Sequence, residues 1–263
     1  MQDLNIALLQ FAPAWENKTR TLGHIEEKWL PAAPQDADIW VLPEMFSTGF
    51  SMSAEALAEE PVGETYDRML QWAKQYGKVI CGSFITREDE NFYNRFYWVQ
   101  PDGICQTYSK RHLFSLAKEN EHYTAGDSKT IISYKGWRIL PLICYDLRFP
   151  VFSRRTSGED YDVLLYVASW PERRNYAWTQ LLIARAIENQ CYVAGVNRVG
   201  KDGNDILHAG DSVLLDFFGK PLARAGVFRE KWIQAVLDKE KLYTFRERFP
   251  FAADADSFSI DMD

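Results

Sequence analysis

The chain has 263 residues, 46% of them hydrophobic and 25% charged, with a net charge of −7 and a pI near 5.3. That balance excludes a disordered or low-complexity chain, and the acidic excess argues against a protein that wraps nucleic acid. The aromatic content is high, with 9 Trp, 13 Tyr and 16 Phe, and points to an aromatic-lined interior, pocket or interface.

The first apolar run, Asn5–Phe11, follows a start without basic residues and reads as an opening strand, not a signal segment. Asn17 is placed to cap a helix over Lys18–Leu30. A strand over Asp38–Leu42 then runs into Pro43-Glu44. Glu64–Tyr76 predicts a helix, with acidic residues in its first turn and Gly77 where a stop belongs. Strands follow at Lys78–Phe84 and Arg95–Val99, and Pro101-Asp102-Gly103 reads as a hairpin turn.

The run Ile139–Ile143 leads directly into Cys144. With Asp162–Ala168 and Tyr192–Asn197 it has the apolar continuity of strands covered on both faces. Between the last two, Tyr176–Asn189 sets Leu181, Leu182, Arg185 and Glu188 at helical spacing. Ser212–Phe217, the turn Phe218-Gly219-Lys220 and Trp232–Leu237 close the pattern. No linker or repeat interrupts it, so the elements predict one sheet-rich α/β domain whose helices cover a two-sheet core. The acidic tail 250–263 reads as extended chain, packed on a partner.

Cys81, Cys105, Cys144 and Cys191 stand far apart in sequence, so no zinc-knuckle spacing exists and no structural metal is expected. No stretch reaches the ~20 apolar residues of a membrane span. The expectation is a cytoplasmic protein with reduced thiols.

Cys144 stands at a strand-to-helix turn, a place where a nucleophile is exposed and the next N–H, from Tyr145, can face an oxyanion. The competing reading is a structural thiol, because free Cys is among the most buried residue types. A nucleophilic thiol needs a base or a cation beside it. His24, His112, His122 and His208 have no signature spacing, so a Cys–His pair lacks support. Glu44, just past a buried strand, is either a partly solvated loop acid or a desolvated general base. Taken alone, Lys110 reads as part of a solvated basic turn, and Glu119 and Glu121 as part of a polar loop.

In order, Leu42-Pro43-Glu44, Lys110-Arg111-His112-Leu113-Phe114 and Cys144-Tyr145-Asp146-Leu147-Arg148-Phe149-Pro150 resemble the Glu–Lys–Cys signature of the nitrilase superfamily of carbon–nitrogen hydrolases. The resemblance continues through Ser169-Trp170-Pro171, Arg185–Asn189, Asn197–Gly200, Gly210-Asp211-Ser212 and Phe218-Gly219-Lys220. The tract Lys110–Gly126 and the tail Phe245–Phe258 are similar to the omega-amidase branch. This implies a four-layer α-β-β-α sandwich of two mixed sheets, in a single domain over residues 1–249. It also implies no cofactor, and a homodimer formed through Phe149–Arg155 and Trp178–Leu182 with the tail reaching across.

The resemblance assigns roles as well. Glu44 takes the thiol proton, Cys144 attacks an amide carbonyl, and Lys110 with the Tyr145 N–H holds the oxyanion. A second glutamate is expected seven residues before the glycine of the Ala125-Gly126-Asp127 turn, which is Glu119, with Glu121 in reserve. The implied substrates are small α-keto acid monoamides such as 2-oxoglutaramate and 2-oxosuccinamate. Nitriles or N-carbamoyl amines are the alternative within the family. A non-catalytic binding domain on the same fold would lack a member of the triad, and all three are present. Phe114 and Trp170 are candidates for pocket walls or core. Ser169 stands where many relatives have Asn, which alters the pocket. For the substrate carboxylate, Arg148 reads as structural, and the choice between Arg173 and Arg174 stays open.

Overall fold

The computed structural model of the chain describes residues 2–156 and 160–260. The first half supplies the strands β1 (Leu4–Gln10), β2 (Ile39–Val41), β3 (Val79–Glu88), β4 (Asn91–Val99) and β5 (Cys105–Ser109). Next come β6 (Ile132–Tyr134), β7 (Trp137–Ile143), β8 (Val163–Ala168) and β9 (Tyr192–Asn197). The hairpin β10 (Val199–Lys201) and β11 (Leu207–Ala209) follows, then β12 (Val213–Leu215), β13 (Pro221–Arg224) and β14 (Lys231–Leu237). One six-stranded sheet has the order β14-β1-β2-β3-β4-β5 and the other β13-β12-β9-β8-β7-β6. Each is mixed: β1, β2 and β3 run parallel, as do β7, β8 and β9, while the flanking pairings are antiparallel.

The two-residue period of β1 explains the layering. Leu4, Ile6 and Leu8 face the second sheet and share a core with Leu142 of β7 and Leu164 of β8. Ala7 and Leu9 point outward and pack with Trp29, Met69 and Trp72. Those residues come from the covering helices of the first sheet. They are α1 (Lys18–His24), with the π-helical turn Ile25–Trp29 that continues it, and, after the short α2 (Ala54–Leu57), α3 (Glu64–Tyr76). After the single turn α4 (Glu119–His122), α5 (Asn175–Asn189) covers the second sheet through Trp178, Leu182 and Ala186. Its close approach needs Gly195 on β9, where a Cβ would lie 2.7 Å from Leu182 Cδ1. The last helix, α6 (Lys239–Arg248), is pinned by Arg246, whose Nη1 donates to Asp162 Oδ1 at 3.0 Å. The result is the expected four-layer α-β-β-α sandwich of two mixed sheets.

Local signals explain most element ends. The Asn17 side chain accepts from the Arg20 N–H at 3.0 Å, and Gly77 closes α3 at φ +65°. The helix expected over Lys18–Leu30 changes character at Ile25, where it widens into the π turn. β4 begins at Asn91, earlier than Arg95, and this extension carries Asn94 into the interior. Past α6, Phe251–Asp254 forms a 3-10 turn, and residues 261–263 of the tail lie outside the described residues.

The dimer surface read from the sequence needs correction at α5. Trp178 and Leu182 are fully buried within the chain, and the Trp178 indole N–H donates to the Asp211 carbonyl. Tyr176 and Ile187 on that helix, and Val151 beside it, are the apolar side chains facing outward. Among the described residues, no helix is long and apolar enough to cross a membrane.

Candidate active site

The parallel strands β2, β7 and β8 end on the same side of the sandwich, and each delivers a polar residue there. Glu44 follows β2, Cys144 follows β7 and Ser169 follows β8; Lys110 comes from the end of β5. Cys144 has φ +43° and Met45, next to Glu44, has φ +44°. These left-handed conformations are rare for residues with a Cβ and mark sharp, over-determined turns.

Asp146 secures the turn at Cys144. Its carboxylate accepts from the Ile143 N–H at 2.9 Å, the Tyr108 hydroxyl at 2.7 Å and the His112 N–H at 3.0 Å. The His112 ring nitrogen Nδ1 lies 2.8 Å from the same carboxylate, and the ring stacks on Phe149 at 3.7 Å. One buried acid therefore ties the segment after Lys110 to the 3-10 turn Cys144–Arg148.

At the centre lies a fully buried ion cluster. Lys110 Nζ donates to Glu44 Oε1 at 2.8 Å and to Glu119 Oε1 and Oε2 at 3.0 and 2.9 Å. Glu44 Oε2 accepts from the Ser169 N–H at 2.7 Å, and Glu119 Oε2 from the Phe114 N–H at 2.6 Å. Asn94 Nδ2 donates to Glu44 Oε1 at 2.7 Å and reaches Glu119 Oε1 at 3.3 Å. Buried charges are tolerated only with this density of partners. Cys144 borders the same cavity as Lys110, and the Glu44 carboxylate and the Lys110 ammonium both act on its thiol electrostatically.

The electrostatics follow from burial. Burial alone would push the Lys110 ammonium down, but Glu119, Glu44 and Cys144 outweigh it and hold Lys110 above its ordinary range. Burial raises the Glu119 carboxyl, with Lys110 opposing and Glu44 adding. Burial also drives the Cys144 thiol well up, Glu44 adding and Lys110 opposing. A thiol in that setting rests protonated at neutral pH and needs a base at the moment of attack.

The sequence candidates converge here, and Glu119, not Glu121, joins the cluster; Glu121 is exposed and faces Lys118. Phe114 and Tyr145 meet edge-on at 5.0 Å and line a cavity of about 610 Å³ whose walls include Lys110 and Cys144. Trp170 is both wall and core: it lines the cavity, yet it is 3% exposed and packs on Trp178. Arg148, read from the sequence as structural, lines the cavity together with Arg173 and Arg174. Ser169 contacts the Glu44 carboxylate through its backbone, a bond that does not depend on the side chain at that position.

Asn94 belongs to none of the sequence motifs; it is fully buried on β4 and its Nδ2 faces both acids. The β10–β11 hairpin, which brings His208 to the cavity, is also new. Its short, polar strands carry too little periodicity to be seen. Among the described residues, no group of three His, Cys, Asp or Glu is arranged to hold a metal ion.

A carboxylate–ammonium–thiol cluster at the floor of a cavity between two sheets fits a cysteine-dependent hydrolase. The chain belongs to the carbon-nitrogen hydrolase family, whose sequence profile matches residues 5–247. It is 44% identical to omega-amidase YafV of Escherichia coli strain K12 over 262 residues, covering 99% of this chain and 100% of the relative. It is 34% identical to 2-oxoglutaramate amidase of Bacillus subtilis, covering 93% of this chain and 95% of that one. A crystal structure of a CN-hydrolase superfamily protein from Xanthomonas campestris superposes with a TM-score of 0.95 at 41% identity, covering 99% of this chain and 100% of that chain.

Proposed function

We propose that the protein hydrolyses the terminal amide of short α-keto acid monoamides, 2-oxoglutaramate and 2-oxosuccinamate, to the acid and ammonia. The observation that supports this is the buried Glu44 carboxylate, which accepts from Lys110 at 2.8 Å and acts electrostatically on the Cys144 thiol. The similarity to an omega-amidase and a 2-oxoglutaramate amidase supplies the substrate class.

Glu44 takes the thiol proton as Sγ bonds to the amide carbon. The oxyanion is held by Lys110 and the Tyr145 N–H, the first donor of the turn that Asp146 fixes. Collapse breaks the C–N bond, and the proton on Glu44 leaves with ammonia. Water then attacks the thioester while Glu44 takes its proton. Breaking the C–S bond releases the acid, and that proton returns to sulfur. Glu119 keeps Lys110 charged and in place. A homodimer and a cytoplasmic location complete the reading, the latter suiting a thiol that must stay reduced. For the dimer, Val151, Tyr176 and Ile187 offer exposed apolar surface beside α5.

The test is ammonia release from 2-oxoglutaramate by the wild type and Cys144→Ala. Activity in the wild type and none in the variant is expected, and full activity in the variant overturns the nucleophile. Parallel incubation with a nitrile and an N-carbamoyl amine separates the alternative reactions by product. Light scattering that gives a 30.5 kDa particle counts against the dimer.

A further inference from the structure

Three guanidinium groups, from Arg148, Arg173 and Arg174, line the cavity that holds Cys144. Four other partly buried arginines pair with acids, Arg95 with Glu88, Arg155 with Asp160, Arg185 with Glu188 and Arg246 with Asp162, while the buried Arg198 donates to the Val199 and Lys201 carbonyls. Among the described residues, the three cavity arginines have no carboxylate within ion-pair distance. Two of them are instead held against the faces of wall residues. The Arg148 guanidinium sits 4.9 Å from the Trp170 ring and that of Arg174 sits 4.8 Å from Phe114.

Such an arrangement has an electrostatic cost. Burial draws Arg174 below its ordinary range, and Arg173 and Arg148 push the same way, against Cys144 and Tyr145. Like charges gathered in a half-buried cavity are disfavoured until an anion joins them. The acids in the same cavity are engaged with their own loops. Glu16 Oε1 accepts from the Ser53 hydroxyl at 3.0 Å, and Asp202 Oδ1 accepts from the Asn204 and Ile206 N–H groups. Stacking on a ring fixes a guanidinium plane while leaving its edge donors open, and those donors match a carboxylate in two-pronged fashion.

We propose that Arg174, supported by Arg148, recognises the free carboxylate of the substrate. The pair thereby selects amides that carry an anion at the far end of a short chain over neutral amides of equal length. The substrate class rests on the amidase reading above; the carboxylate site rests on the unpaired, ring-stacked cations. The same site binds the dicarboxylate product, so 2-oxoglutarate shields Cys144 from alkylation.

The test compares kcat/KM for 2-oxoglutaramate with that for neutral pentanamide in the wild type, Arg174→Met, Arg148→Met and Arg174→Lys. Loss of a charge-assisted hydrogen-bond partner lowers the ratio by about 10- to 150-fold, carried by KM. Arg174→Lys, which keeps the charge but not the fork, falls between wild type and Arg174→Met. A second readout needs no turnover: 2-oxoglutarate slows iodoacetamide labelling of Cys144 in the wild type and does so far less in Arg174→Met. The proposal is overturned if the ratio is unchanged in both Met variants, or if both amides lose equally, as a purely structural role would give. Should the wild type release no ammonia from 2-oxoglutaramate, the amidase reading fails by itself. Protection that depends on Arg174 then still supports the carboxylate site, and protection that ignores Arg174 overturns it.

Discussion

Glu119 presents both carboxylate oxygens to Lys110, at 3.0 and 2.9 Å, whereas Glu44 gives Lys110 one oxygen at 2.8 Å and turns the other to the Ser169 N–H. The two acids are thus unequal: Glu119 anchors the ammonium with both oxygens, and Glu44, the base of the proposed mechanism, does so with one. Glu119→Gln keeps the shape and removes the anchor. We expect kcat to fall about 10²-fold, within the ~10²–10³ range for losing an oxyanion donor outright. Breaking one side of a buried ion pair also destabilises by about 3–5 kcal/mol, measurable by urea unfolding.

Gly126 lies against the strand end that carries Lys110. Its N–H donates to the Lys110 carbonyl at 2.9 Å, and a Cβ there would fall 2.2 Å from the Ser109 carbonyl oxygen. Because the clash is with backbone, Gly126→Ala must displace β5 or the turn itself. A destabilisation of about 1–3 kcal/mol is expected, with a drop in kcat. Unchanged kcat together with an unchanged unfolding midpoint contradicts it.

Asp146→Asn tests the tie between the Lys110 segment and the Cys144 turn. The amide cannot accept on both atoms as the carboxylate does from Ile143, Tyr108 and His112. One or more buried donors then lose their partner, at about 1–3 kcal/mol each. The variant should unfold at lower urea and alkylate at Cys144 at a different rate from wild type, since the turn that holds the sulfur is loosened.

His208 gives a pH signature. Burial, and after it the nearby Arg198, lowers its pKa from 6.5 to about 4. The unfolded chain therefore binds this proton more readily than the folded one below pH 6.5. The stability conferred by neutral His208 is complete above that pH and is lost as pH falls from about 6.5 to 4. The loss is on the order of 3 kcal/mol, and His208→Gln should flatten the stability–pH curve in that window. Superimposable slopes for wild type and variant rule it out.

The sequence made the sandwich legible where periodicity was strong: β1, β7, β8 and β9, α3 and α5 lie close to their expected bounds. It failed where elements are short and partly polar, as in β6, β10, β11 and β13, because three or four residues carry no reliable alternation. For the site, Glu44, Lys110 and Cys144 were legible through the ordered motifs alone. By composition Lys110 is a surface residue, and its complete burial depends on two acids distant in sequence that no local rule couples. Asn94 escaped because its importance lies in what faces it across the interior. The arginines are legible as cations, but only the three-dimensional arrangement shows which of them have no carboxylate beside them among the described residues.

The cluster is divided between the two sheets. Glu44, Asn94, Lys110 and Glu119 belong to the first half of the chain, and Cys144 and Ser169 to the second, with the bond from Ser169 to Glu44 spanning 125 residues. In a chain whose two layers have not docked, Glu44 and Cys144 stand on separate sheets. Under the proposed mechanism, sulfur meets its proton acceptor only when the layers dock, after the slow closure of a long loop. The shared arrangement of Lys110, Glu44 and Ser169 is consequently a product of assembly, which neither half of the chain holds before the two sheets dock.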